Sequence, residues 1–455
     1  MSSHESQLHL GVFLRGVGHH LASWRSPLVT SGSEISFTHY RHLARTAERG
    51  KFDMVFLGDS VCVRERPEGV KREILQRLGH LVHFEPLTLL SALSTATTHV
   101  GLVGTASTTY NEPYHVARKF ASLDHISDGR AGWNVVTSTS LAEANNFNRE
   151  EHLGHAERYV RANEFVDVVV GLWDSWDDDA FVADKAEGIY FDEDKVFEIN
   201  HRGAHFNVKG PLNLSRPPQG HPVIVQAGSS DAGKDLAART AEVVFTAQRT
   251  LKEGQAFYRS LKDRMSKYGR APDELKIMPG VFTVVGRTQE EADDKYGHLQ
   301  ELVDPKVGVA MLSRTTGIDL SAYPLDAPLP RFGGNNVQQA RPELIDALAE
   351  REHLTIWQTI LAIAGARGHH VLIGTPERIA DELEERFKGE AADGFNLMPP
   401  YLPGGLEDFV DLVVPELQRR GLFRTEYQGS TLRDHLGLAR PANVNKVRAD
   451  ARAQA

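Results

Sequence analysis

The chain reads as an α/β protein built as a TIM (β/α)8 barrel with insertions, and three observations predict this. Short apolar runs of strand length alternate with helix-length stretches, and eight strands can be counted between Leu8 and Met398. Polar residues stand at the carboxyl ends of those strands, the end at which such barrels carry their chemistry. Two stretches, 173–221 and 304–370, break the rhythm and read as insertions between barrel elements. An open doubly wound sheet uses the same alternation, so the pattern alone leaves closure of the sheet undecided.

Leu8 to Leu14 is the first strand, opening into a loop that holds His19 and His20. Ser36 caps a helix over Phe37 to Arg49, stopped by Gly50. Phe52 to Leu57 is the second strand and ends in Gly58-Asp59-Ser60; Pro86 to Thr97 is helical; His99 to Gly104 is the third strand and runs into Thr105. The organising stretch is Ser127 to Ser138. There a turn (Ser127-Asp128-Gly129) follows a helix over Tyr114 to Leu123 and leads into an apolar strand with Trp133, Val135 and Val136. Its polar end carries Asn134, Thr137 and Ser138. A long helix over His152 to Leu172 precedes the first insertion, where Ala204 to Val208 alternates as in a small antiparallel hairpin. Pro222 to Ala227, Glu242 to Thr246, Lys276 to Val285 and Gly394 to Met398 are strands five to eight. The second insertion holds a Pro/Gly-rich segment (Pro324 to Gly334) and a helix from Pro342 into Ile363. Phe409 to Arg420 closes as a helix. Residues 1–437 read as one domain and 438–455 as a loose polar tail.

Composition narrows the function. Apolar residues make up 41% and charged residues 25% of 455, ordinary globular values. A net charge of -10 argues against nucleic acid or an anionic membrane as principal partner, while leaving room for a small anion in a local pocket. Arg15, Arg25 or Arg331 could supply such a pocket. Cys62 is the sole cysteine, which excludes a disulfide framework and points to the cytoplasm. Neither a signal peptide nor an apolar run of membrane-spanning length is expected.

Gly228-Ser229-Ser230-Asp231-Ala232-Gly233-Lys234-Asp235 is the sharpest local signal. It follows a strand and opens a helix, so its N–H groups and the Ser229 and Ser230 hydroxyls suit a phosphate. A nucleotide-hydrolysing loop would need Ser or Thr after Lys234 to hold magnesium; Asp235 stands there and would repel a triphosphate. An ordinary helix cap uses the same residue types. His155 and Tyr159 share one helix face and can both donate to an anion, or simply pack as a capping face. Asp59 and Thr105 end barrel strands, where polar groups serve an active-site mouth; turn formation also explains Asp59. The pairs His19-His20, His201 with His205 and His369-His370 fit no zinc pattern, so no metal is expected, and Asp177 to Asp179 read as a solvated face.

Together, S-D-G-R-A-G-W-N-V-V-T-S (127–138), Q-A-G-S-S (226–230), D-G-F-N-L-M (393–398) and V-P-E-L-Q-R-R-G-L-F-R (414–424) resemble one group of the bacterial luciferase-like superfamily. That group holds the nitrilotriacetate, dibenzothiophene-sulfone and pristinamycin synthase flavoproteins. The resemblance implies a two-component monooxygenase that takes reduced FMN from a separate NAD(P)H:flavin reductase. It implies reaction with O2 through a C4a-(hydro)peroxyflavin and delivery of one oxygen atom to a small substrate. It also implies that Asp59, Thr105 and Asn134 line the isoalloxazine and that His155, Tyr159, Ser229 and Ser230 hold the phosphate and ribityl chain. A homodimer or homotetramer is implied as well. No catalytic acid or base can be assigned; His19 and His20, at the correct end of the barrel, are candidates for substrate contact. A deazaflavin-dependent oxidoreductase, a non-catalytic flavin binder and a TIM-barrel hydrolase are the competing readings.

Overall fold

A computed structural model describes residues 7–63, 74, 76–79, 81–331 and 340–453. Eight parallel strands close on themselves: β1 (His9–Phe13), β2 (Met54–Leu57), β3 (Gly101–Ser107), β4 (Ala131–Val136), β7 (Val223–Ala227), β8 (Val243–Thr246), β9 (Lys276–Val285) and β11 (Gly394–Leu397). Closure runs through β9, whose Lys276–Pro279 half pairs with β8 while Gly280 and Val281 pair with β11, and β11 pairs with β1. The doubly wound alternative is thereby excluded. The short antiparallel pair β5 (His201–Arg202) and β6 (Asn207–Val208) is the hairpin expected in the first insertion.

Side-chain alternation sorts each barrel strand into two faces. On β4, Trp133 and Val135 point outward into the helical layer, where Trp133 packs against Phe120, Phe165 and Trp173 and its indole N–H donates to the Ala106 carbonyl at 3.1 Å. Asn134 therefore faces the barrel interior. Met54, Phe56, Val103, Val223, Val225, Val243 and Met278 fill that interior lower down. The floor is closed by a short helix, Leu432–Leu436, whose two leucines enter the same cluster. Gly101 makes room for it, since a Cβ there would fall 2.5 Å from a Leu432 methyl. With the amino-terminal end of the barrel plugged, the barrel interior opens at the carboxyl-terminal mouth.

Three of the expected secondary-structure elements change. The helix drawn from Pro342 to Ile363 is two helices, Ala340–Glu352 and Ile356–Ala364. His353 turns left-handed (φ 52) and Thr355 restarts the chain with a capping box, its hydroxyl accepting from the Gln358 N–H at 3.2 Å. Removing that cap by Thr355→Ala should cost about 1 kcal/mol. It should appear as faster amide exchange at the start of the second helix. An unchanged exchange rate there would show that packing alone sets the helix start. Second, a strand that the sequence pattern did not count, β10 (His370–Gly374), follows the second insertion and pairs with the upper half of β9. Val281 pairs with both His370 and Leu397, so β10 and β11 lie on opposite edges of β9. Third, the closing helix begins earlier, at Gly404, and passes through a π turn over Phe409–Val413 just before Pro415, which has no N–H for a regular turn.

The stretch after Gly437 is not loose. Val444 N–H donates to Asp174 at 2.8 Å, Asn443 to the Trp176 carbonyl at 3.0 Å and Asn445 to the Gly171 carbonyl at 2.9 Å. Asp174 is buried and also receives Arg216 (2.7 Å) and His221 (2.9 Å). Asp177, expected on a solvated face with Asp178 and Asp179, is buried instead because Lys446 folds back onto it. No helix among the described residues is long and apolar enough to cross a membrane.

Candidate active site at the barrel mouth

Two adjacent strands supply the first part of the site. Thr105 on β3 is the register partner of Asn134 on β4, and both side chains are buried on the interior face. The Thr105 hydroxyl donates to the Leu57 carbonyl at 2.8 Å, which uses its hydrogen and leaves it an acceptor for the Asn134 amide at 2.7 Å. This fixes the Asn134 orientation: its NH2 faces Thr105, and its Oδ1 is left buried with no partner. An acceptor of this kind calls for an N–H donor from a ligand. Asp59 follows β2. Its carboxylate accepts from the Ser60 N–H at 2.8 Å and from His83 at 3.0 Å, and it lines a cavity of about 160 Å³ with Phe13, Arg15, Tyr40 and Cys62.

The second part lies at the end of β7. Gly228-Ser229-Ser230 leads into helix Asp231–Thr240, and the Ser230 hydroxyl caps it by accepting from the Gly233 N–H at 3.1 Å. A second helix, His155–Trp173, starts beside it. Its Tyr159 hydroxyl lies 3.4 Å from the Ser230 hydroxyl, and the His155 ring packs on Tyr159 with centroids 5.0 Å apart. Gly233 permits this approach, because a Cβ there would sit 3.2 Å from the phenol oxygen. The starts of two helices, the Ser230 hydroxyl, the Tyr159 phenol and the His155 imidazole thus lie together, with Ser229 next to Ser230 in the chain and both Ser229 and His155 exposed. Positive helix ends and hydroxyl donors suit a phosphate monoester. Asp235 does not oppose it: the carboxylate turns to Tyr268 (2.6 Å) and Lys267 (3.1 Å), whose hydrogen bonds hold it below its ordinary range.

His19 and His20 follow β1 but are completely buried, and burial lowers both to about 4. His19 donates from Nε2 to the Phe13 carbonyl at 2.8 Å, so it is neutral with a bare Nδ1. His20 accepts from the Ala22 N–H at 3.2 Å. Their loop is pinned from both sides, His19 N–H to the Pro399 carbonyl and Leu21 N–H to the Ala364 carbonyl, each at 2.8 Å. Neither ring faces open solvent. Among the described residues no group of three His, Cys, Asp or Glu side chains is arranged to hold a metal ion. His201 is taken by Glu164 at 3.0 Å.

Sequence reasoning weighed His369 only as a metal ligand, whereas its ring stacks on the interior Phe245 with centroids 5.0 Å apart, and it passed over Asn396, buried on β11. It also passed over Arg249, just past the end of β8. Asn396 and Arg249 stand at or beyond strand ends, the signal that had found Asp59 and Thr105.

The sequence pattern described as luciferase-like monooxygenase matches residues 18–393. The chain belongs to this family. Nitrilotriacetate monooxygenase component A of Aminobacter aminovorans is 54% identical over 442 residues, covering 96% of this chain and 98% of that one. N-acetyl-S-(2-succino)cysteine monooxygenase of Bacillus subtilis is 52% identical over 446 residues, covering 97% and 99%. The crystal structure of DmoA from Hyphomicrobium sulfonivorans superposes with a TM-score of 0.88 at 31% identity, covering 98% of this chain and 97% of that one. The protein is a flavin-dependent monooxygenase of the luciferase-like family, as the four quoted motifs implied.

Proposed function

We propose that this protein is the oxygenating component of a two-component system. It would take reduced FMN from a separate NAD(P)H:flavin reductase and insert one atom of O2 into a small nitrogen- or sulfur-bearing organic substrate. The observation that carries the reading is the double helix-terminus cradle at Ser229, Ser230, Tyr159 and His155. A relative named as a "component A" supports the need for a partner, and relatives named for nitrilotriacetate and N-acetyl-S-(2-succino)cysteine support the substrate elements. The same reading has the enzyme working in the cytoplasm as a homodimer or homotetramer.

The residues fit FMN. Ser229, Ser230, Tyr159 and His155 would hold its phosphate end, and the unpartnered Asn134 Oδ1 would accept from a ring N–H. Asp59 and Thr105 would flank the ring from neighbouring strands. Bound FMN would supply the activation of O2 and the transfer of one oxygen atom. The chain's own part is to orient and to keep water out. The Leu57–Thr105–Asn134 hydrogen-bond chain fixes the acceptor in advance, so no reorganisation is needed on binding. Phe13, Phe56 and Phe245 pack as an aromatic floor beneath it, and the insertion carrying Leu312, Ile356 and Ile360 packs onto the loop after β1 through Leu21.

Anaerobic titration with reduced FMN, followed by mixing with oxygenated buffer, tests this. Saturable binding and a reoxidation slower than that of free flavin are expected. Absence of binding, or reoxidation at the rate seen in buffer, would refute it.

A further inference from the structure

The first insertion carries a feature that neither the barrel nor its mouth uses. Shortly after helix His155–Trp173, residues 181–191 form a small hairpin. The Asp184 N–H donates to the Ile189 carbonyl at 2.7 Å, and the Ile189 N–H returns to the Asp184 carbonyl at 3.0 Å. The Ala183 N–H meets the Tyr190 carbonyl at 3.0 Å. The turn is fixed too, because the Asp184 carboxylate accepts from the Ala186 N–H at 2.8 Å and the Glu187 N–H at 3.1 Å. Yet every residue from 181 to 191 is exposed, five large apolar side chains among them: Phe181, Val182, Ile189, Tyr190 and Phe191.

The rings form one contiguous cluster. Trp176, anchored by its indole N–H on the Leu212 carbonyl at 2.7 Å, stacks on Phe181 with centroids 4.7 Å apart and meets Phe191 edge-on at 5.4 Å. Phe181 in turn meets Tyr190 at 5.6 Å. Tyr190 nevertheless leaves 68% of its surface exposed and Ile189 leaves 51%. Proteins that work as monomers rarely show water a contiguous apolar patch of this kind. Nearby acids do not repel a partner: Lys195 answers Asp179 and Asp192 (2.6 and 3.7 Å), and Arg440 answers Asp178 (2.6 Å). The patch also lies away from the mouth. The helix it follows runs 19 residues from the cradle at His155 to Trp173, a rise of about 28 Å at about 1.5 Å per residue. A reductase passing flavin to the mouth would dock near the other end of that helix.

Two charges at the turn point to what covers the patch. The Lys185 and Glu187 side chains, opposite in sign and two residues apart, are exposed and have no hydrogen bond or ion pair among the described residues. Across a two-fold axis one residue meets a second while the second meets the first. An axis through the turn therefore sets each of these charges against its opposite, so the hairpin is complementary to itself. We propose that hairpin 181–191 is the two-fold face through which a second copy of this chain docks, with Phe181, Ile189, Tyr190 and Phe191 at its centre. Buried aromatic anchors carry much of the energy of such contacts, while charges at the rim set register and partner choice. The inference rests on the reading of the chain as a homo-oligomer and assigns the face that reading needs.

The test is sedimentation of the full-length protein over a dilution series, with no flavin added. The wild type should sediment as an oligomer, and the double variant Ile189→Asp/Tyr190→Asp should fall to half its mass, its association weakened about a hundredfold or more. Both positions are exposed, so the far-UV circular dichroism of the variant should match the wild type, which separates a lost contact from a lost fold. Lys185→Glu and Glu187→Lys should each weaken self-association about tenfold, and an equimolar mixture of the two should associate as the wild type does. A partner other than a second copy gives no such rescue. A wild-type oligomer whose mass the double variant keeps, or a mixture no tighter than either charge variant alone, overturns the proposal and leaves the homo-oligomer reading standing. A wild type that sediments as a monomer overturns both.

Discussion

Replacing Asp53 with alanine should lower stability by about 3–5 kcal/mol, the cost of stranding a buried charge. Asp53 is completely buried at the start of β2. One carboxylate oxygen accepts from the Leu10 N–H at 2.7 Å; the other meets His9 at 3.0 Å and the Arg424 guanidinium. Arg424 donates onward to the His435 carbonyl at 2.7 Å, inside the helix that plugs the barrel floor. One carboxylate thus ties β1, β2 and the carboxyl-terminal plug together, and its loss leaves Arg424 facing no charge. Burial by itself would raise the carboxyl, but Arg424 and His9 outweigh it and hold it below the ordinary range. Between that folded value and the unfolded one, near 4, the unfolded chain binds more protons, so stability rises with pH. The contribution is complete above about pH 4 and is lost as pH falls through the folded value. Urea midpoints measured from neutral pH downward should therefore show a steep acid limb in the wild type and a shallower one in Asp53→Asn. An alanine variant with the wild-type midpoint would mean that Arg424 finds water or another partner at no cost.

The barrel was legible because its signals are local. Ser36 before Phe37 and Gly50 after Arg49 bound one helix, and the alternation of Trp133, Asn134 and Val135 assigns the faces of β4 with no tertiary information. The strand-to-helix loop at Ser229 and Ser230 was legible for the same reason: its loop, cap and helix are consecutive. What escaped depends on distant partners. The five-residue plug at Leu432 is too short to show a period, and only Gly101 and the barrel interior give it meaning. The segment after Gly437 looked free because its anchors, Asp174, Trp176 and Gly171, lie on the far side of the sequence. β10 is an apolar run like other strands, but it follows an insertion and pairs only with the upper half of β9. Burial of His19 and His20 likewise comes from Pro399, Pro400 and Ala364, none of them near in sequence.

Placing a carboxylate in the cradle by Ser229→Asp should separate its two possible roles, because the sign of the effect differs between them. In the empty protein an acidic residue at this helix start is favourable by about 0.3–1 kcal/mol through the helix dipole. Ser230 goes on capping Gly233 N–H, so thermal stability should hold or rise slightly. Toward a phosphate the same charge is repulsive. At about 4 Å and an effective dielectric near 20, one like-charge pair costs about 4 kcal/mol before solvent screening. Ser229 is exposed, so a fall in FMN affinity of about a hundredfold is the expected remainder. Ser229→Ala, which removes a donor without adding a charge, should cost only about tenfold. Riboflavin carries the same ring and ribityl chain without phosphate, and its binding should be nearly indifferent to the aspartate. The ratio of FMN to riboflavin affinity is thus the quantity to measure. If it collapses in Ser229→Asp while the melting temperature holds, the convergence of the two helix starts is a phosphate site. If both flavins weaken equally, the substitution has disturbed the barrel mouth as a whole. If neither weakens, Ser229 stands beside a helix cap and the phosphate is held elsewhere.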